Sequence, residues 1–174
     1  MKPLLTVDIT PVKKQIGGIF EITEDISLPS SEKVDFPQPV TVQAQITRTN
    51  EGYYVTGKIH GQYKTQCDRC LEPIEGLLKA EFSENFLFRR RSPEKENDEK
   101  IAGTEEIDLT ETLLETVTFT LPMKYLCSPE CRGLCPVCGN NRNHHNCRCR
   151  EEEIDPRLAR LAEWKKQQGG GING

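Results

Sequence analysis

Along Val40–Arg48 apolar and polar side chains alternate, with Val40, Val42, Ala44 and Ile46 on one face and Thr41, Gln43, Gln45 and Thr47 on the other. A period of two is the mark of a strand with one face buried. Asn50, Glu51 and Gly52 are turn formers, and from Tyr53 a second run sets Val55, Ile59 and Tyr63 against Thr56, Lys58, His60, Gln62 and Lys64. The two runs predict an antiparallel hairpin. A third extended run, residues 77–87, carries Leu78, Ala80, Phe82 and Phe86 at even spacing, and residues 4–9 and 18–22 are candidate edge strands. Residues 1–88 therefore predict an antiparallel β domain.

The pattern then changes. Residues 89–106, RRRSPEKENDEKIAGTEE, carry one apolar side chain larger than alanine, proline aside, so burial there cannot offset the entropy of ordering the chain. Residues 89–107 are expected to be a charged mobile linker, with Arg89, Arg90 and Arg91 a solvated charge run. Beyond it, Asp108 with Glu111 three positions on is a capping-box pattern, and Leu109, Leu113, Leu114 and Val117 share one helical face until Pro122 stops the helix. Asp155 and Pro156 would open a second helix bearing Leu158, Leu161 and Trp164, and the last seven residues are expected to be disordered. The fold class predicted is α+β: an antiparallel β-sheet domain with a few helices and, within residues 108–174, a small C-terminal cysteine-rich zinc-binding module.

Composition narrows the functions open to such a chain. The 174 residues suffice for one domain plus a small module, and 35% hydrophobic against 29% charged residues implies long polar connections. No run approaches the roughly 18 apolar residues of a membrane helix. The start, MKPLLTVDITPVKK, lacks the features of a secretory signal, so a cytoplasmic location with no membrane partner is expected. A net charge of −4 argues against general nucleic-acid binding. That average hides an asymmetry: residues 1–123 carry net −7 and residues 124–150 net +4.

The positive charge coincides with cysteine. From Cys127 to Cys149 the spacing is C-x3-C-x3-C-x2-C-x8-C-x-C, six thiols in 23 residues. Thiols expected in a reducing compartment point to metal ligation or redox chemistry rather than disulfides. Zinc takes four sulfur or imidazole ligands in a tetrahedron. Cys135-Pro136-Val137-Cys138-Gly139 is a knuckle-type sequence whose tight turn converges two thiolates on one ion. Cys147 and Cys149 are the natural second pair, provided a turn brings them together, and Cys127 and Cys131 are alternates. His144 and His145 read as surface residues. No carboxylate lies between Cys131 and Cys149, so nothing there offers the general base that a catalytic zinc would use, and a closed structural site is expected. Iron-sulfur ligation by the same thiols is a minority reading. Cys67-Asp68-Arg69-Cys70 stays open between half of a second metal site completed by Cys127 and Cys131, a redox dithiol, and turn or packing thiols; Pro73 and a following strand fit poorly with a thioredoxin-like helix start.

Cys67-Asp68-Arg69-Cys70-Leu71-Glu72-Pro73 followed by Glu81-Phe82, together with Cys127-Ser128-Pro129-Glu130-Cys131-Arg132-Gly133-Leu134-Cys135-Pro136-Val137-Cys138-Gly139, resembles the YceD-like family, the large ribosomal RNA subunit accumulation proteins of bacteria and plastids. The resemblance covers most of the chain, including the helix from Asp108 and the closing Asp155-Pro156-Arg157-Leu158. It implies a non-catalytic ribosome biogenesis factor with large-subunit ribosomal RNA or precursor particles as partner, directly or through a ribosomal protein, and no small-molecule substrate. Some relatives keep the first cysteine pair without most of the second cluster, which separates metal binding from the shared activity. Arg132, Arg142 and Arg148 are the candidate RNA contacts. A zinc-ribbon protein-interaction module unrelated to ribosomes and a C-x2-C thiol oxidoreductase are the competing readings.

Overall fold

The structure, a computed structural model, describes residues 3–89 and 100–149. Backbone contacts divide the chain into two units, Met1–Pro129 and Glu130–Gly174. The helix expected from Asp155, the tail after it and the central part of the charged stretch lie outside the described residues.

In the first unit the strands are β1 (Thr6–Asp8), β2 (Ile19–Ile26), β3 (Val34–Asp35), β4 (Val40–Arg48), β5 (Gly52–Gln66), β6 (Pro73–Leu87), β7 (Lys100–Ile101) and β8 (Glu106–Asp108), followed by helix α1 (Thr110–Thr120). One six-stranded sheet runs β2-β4-β5-β6-β7 with β3 beside β5, and β1 and β8 form a separate antiparallel pair. The predicted alternation is realised on β4, where Val40, Val42, Ala44 and Ile46 are all buried. Its register sets Val42 opposite Ile59 and Ile46 opposite Val55; β5 then pairs with β6 along its whole length, Ile59 opposite Ala80 and Tyr53 opposite Phe86. A one-residue slip would turn this apolar set to solvent, so the core fixes the register.

On the inner face a glycine is obligatory at position 57. It sits between Ala44 and Phe82, and a Cβ there would lie 2.5 Å from Phe82 Cζ and 2.6 Å from the Gln43 carbonyl oxygen. The Phe82 ring occupies the space that a side chain would take. The outer face is polar: Gln45 donates to Glu21, Thr41 donates to Asp25, and Lys58 pairs with Glu81.

Three expectations are modified. The one α-helix among the described residues is the one expected from Asp108. That helix belongs to the sheet unit, with Leu109, Leu113 and Val117 buried and α1 packed on β6, while Leu114 is only half-buried and Thr112 takes a buried place. Asp108 does serve the helix start, accepting the Thr110 N–H at 2.8 Å, but the first non-helical position is Leu109 and Glu111 reaches for Lys100 instead of folding back.

Lys100 explains the third difference. Residues 100–108, counted with the charged linker apart from Asp108, are paired: β7 lies parallel to Phe86 and Leu87, and β8 is antiparallel to β1. The Lys100 ammonium, its side chain 17% exposed, meets Glu115 at 2.9 Å, Glu84 at 3.5 Å and Glu111 at 3.7 Å and donates to Thr112 Oγ1. Charge density suggested solvation, whereas three carboxylates from β6 and α1 compensate this one cation. Among the described residues no helix is long and apolar enough to cross a membrane.

Candidate metal centres

None of the eight cysteines is in a disulfide, and they gather into two sets of four. Within each set every sulfur lies within 4.8 Å of the others: Cys67, Cys70, Cys127 and Cys131 in one, and Cys135, Cys138, Cys147 and Cys149 in the other. A tetrahedron with zinc-sulfur bonds of about 2.3 Å has sulfur-sulfur edges of about 3.8 Å. The Cys70 and Cys127 sulfurs are 3.6 Å apart.

The first pair of each set is built by the same turn. In residues 67–72 the Leu71 N–H donates to the Cys67 carbonyl at 2.9 Å and the Cys67 N–H donates to the Glu72 carbonyl at 2.8 Å. In residues 135–140 the Gly139 N–H donates to the Cys135 carbonyl at 2.9 Å and the Cys135 N–H donates to the Asn140 carbonyl at 2.8 Å. Each turn requires a left-handed residue just after its second cysteine: Leu71 has φ 61° and Gly139 φ 71°. Glycine adopts that conformation without steric cost, whereas leucine at position 71 pays for it.

This turn aims backbone N–H groups at the first sulfur. Burial raises the Cys67 thiol, but hydrogen bonds from the N–H groups of Cys127, Arg69 and Cys70 outweigh it and bring the pKa down to about 6. The Cys138 and Val137 N–H groups, with the Cys147 thiol, bring Cys135 down to about 6 as well. Cys147 is pushed up, first by Cys135, and Cys149 is pushed up to about 12, first by its contact with Cys138. Thiolates so close repel one another, so some hold protons unless a cation joins them. Both sets fit zinc in donor type, number and spacing. Backbone N–H donation lowers both thiols, at Cys67 first from Cys127 and then from its own turn, at Cys135 from its own turn. Cys70 is followed by strand β6, not by a helix N-terminus.

Cys127 reaches the first turn through the segment after α1. The Tyr125 N–H donates to Asp68 Oδ2 and the Asp68 N–H to the Tyr125 carbonyl, both at 2.8 Å, while the Tyr125 ring packs edge-on against Tyr63. Two residues later the Cys127 N–H donates to the Cys67 sulfur at 3.4 Å. The C-x2-C spacing was visible in the sequence; the left-handed Leu71 and the Asp68-Tyr125 pairing that supplies Cys127 carried no motif.

In the second unit a bridge between Leu134 and Asn141 sets the Arg142 N–H on the Gly133 carbonyl at 2.9 Å. Asn143 braces the loop, accepting the Arg132 N–H at 2.8 Å and donating to the Cys131 sulfur at 3.3 Å. The His144 and His145 N–H groups both turn back to the Asn141 carbonyl, and that turn returns the chain toward Cys147. Arg132 and Arg142 line one pocket with His145, Asn146 and Cys147; Arg148 is exposed and outside this lining.

The profile of the family described as large ribosomal RNA subunit accumulation protein YceD matches residues 55–165. The chain belongs to the YceD family. The matched segment takes in both cysteine turns, β6 and α1. An uncharacterised protein of Mycobacterium tuberculosis is 29% identical over 171 residues, covering 91% of this chain and 80% of that one. YlbN of Bacillus subtilis, also uncharacterised, is 24% identical, with 85% and 89% covered. The large ribosomal RNA subunit accumulation protein YCED homolog 1, chloroplastic, of Arabidopsis thaliana is 22% identical, covering 94% of this chain and 58% of the plant protein. No solved structure matches the chain.

Proposed function

We propose that the protein is a non-catalytic factor supporting accumulation of large-subunit ribosomal RNA, with Cys135, Cys138, Cys147 and Cys149 holding one structural zinc ion and Cys67, Cys70, Cys127 and Cys131 a second. Family membership is the observation that carries the ribosomal part, since the family and its plastid members are named for that role. The paired turns carry the metal part. Four thiols around each centre leave no open coordination position, which favours a structural role over Lewis-acid catalysis. The acidic sheet unit suits a protein partner, and the basic cysteine unit, through Arg132, Arg142 and Arg148, suits RNA phosphates.

Depletion tests this reading. Loss of the protein should lower large-subunit relative to small-subunit ribosomal RNA, and the purified protein should co-sediment with precursor particles. An unchanged RNA ratio on depletion would remove the ribosomal assignment while leaving the metal centres standing.

A further inference from the structure

The pocket beside Cys147 is assembled from a bridge and a turn, and its lining is rich in hydrogen-bond donors. The Leu134-Asn141 bridge places Arg132 and Arg142 on adjacent chain segments, and the turn closed on the Asn141 carbonyl brings His145 and Asn146 to the same hollow. Two arginines, a histidine and an asparagine therefore line one concavity of about 390 Å³ with Cys147. No carboxylate lies in that lining or anywhere between Cys131 and Cys149. Planar guanidinium groups present paired N–H donors matched to the oxygens of a phosphate.

We infer that Arg132, Arg142, His145 and Asn146 form, beside Cys147, a binding pocket for a single backbone phosphate of RNA. The inference rests on the reading of the protein as an RNA-associated factor and narrows it from a basic surface to one site. Arg148 lies outside the pocket and contributes charge without geometry. The recognised group is the phosphodiester and not a base, so binding is indifferent to sequence and sensitive to salt. A competing use of the same arginines exists: four thiolates around a dication leave net negative charge, which neighbouring guanidinium groups could serve to neutralise.

The test uses the full-length, zinc-loaded chain, a short unstructured ribo-oligonucleotide and inorganic phosphate. Both ligands should shift the side-chain NMR signals of Arg132, Arg142 and Asn146 together; no shift, or shifts confined to other residues, would overturn the pocket. Arg132→Ala with Arg142→Ala should weaken oligonucleotide binding roughly tenfold or more and reduce the salt slope by about 0.7, the value for one phosphate on a single strand, with bound zinc unchanged. Arg132→Lys with Arg142→Lys should recover part of that loss, because charge returns without the paired donors. Zinc lost with RNA affinity intact would assign the arginines to the metal cluster and overturn the proposal, as would binding of a phosphopeptide but not of the oligonucleotide. If the alanine variant fails to fold, the wild-type titration decides. Depletion separates the two readings: a lowered RNA ratio with unaltered binding by the alanine variant defeats the pocket alone, and pocket binding with an unchanged ratio defeats the ribosomal role alone.

Discussion

Gly139→Ala isolates the conformational demand of the cysteine turn. Gly139 sits at φ 71°, and a Cβ built there meets nothing within 4 Å, so the substitution introduces no clash and removes no packing. Only backbone terms remain. Placing an L residue in the left-handed region costs about 1–2 kcal/mol, and the reduced freedom of alanine in the unfolded chain returns about 0.4–1 kcal/mol. A net loss of about 1 kcal/mol follows, which corresponds to roughly fivefold weaker zinc binding if folding of the turn and metal binding are one event. Competition against a chromophoric chelator should show one of two phases shifted by that factor. Asparagine tolerates the left-handed region, so Gly139→Asn should restore most of the affinity. Equal losses for alanine and asparagine, or none for alanine, would refute the argument. At Leu71, the matching position of the first turn, glycine should be close to neutral: relief of the left-handed strain is offset by unfolded-state entropy and by the part of Leu71 that is buried, its exposure being 58%.

Anaerobically purified protein should contain two zinc equivalents, and Cys70→Ser and Cys138→Ser should each retain one; a single equivalent in the wild type would dissolve one of the sets of four thiols. Lys100→Met should destabilise the sheet unit by about 1–2 kcal/mol in urea unfolding, because it leaves Glu84, Glu111 and Glu115 facing one another. Burial opposes the Lys100 charge, but Glu115, then Glu84 and Glu111, hold its pKa above the ordinary 10.5. Its contribution is therefore full below that ordinary value and lost as pH rises through the folded one, so wild type and Lys100→Met should converge in strong alkali. Gly57→Ala should cost about 1–3 kcal/mol, since its Cβ meets both the Phe82 ring and the Gln43 carbonyl; an unchanged melting temperature would refute this crowding.

Where local pattern decides structure, the sequence was legible. The β4 alternation gave the strand and its buried face because period two and burial on one side are the same fact. The pairing of residues 100–108 is not legible in their charge alone: Lys100 is satisfied by carboxylates on β6 and α1, partners that no local window contains. The capping box failed in its second half for the same reason, since Glu111 had a cation available across space.

The cysteines show both regimes at once. Cys135 and Cys138, with glycine directly after them, announce a turn whose hydrogen bonds the structure then displays. Cys67 and Cys70 form that turn with Leu71 in place of glycine, so the signal of a left-handed residue is missing although the conformation is present. A leucine held there, exposed and against its preference, implies that the surrounding geometry dictates the backbone. The Tyr125-Asp68 pairing is one source of that dictation, since it fixes Asp68 inside the turn and delivers Cys127 to Cys67. A bound cation would be the other. The first turn should therefore stay formed when metal is removed more readily than the second, in whose residues 135–140 only Cys135 is buried. Amide exchange on the chelated protein measures this directly: protection of Leu71 N–H outlasting that of Gly139 N–H is the expected order, and the reverse order would mean that metal alone holds both.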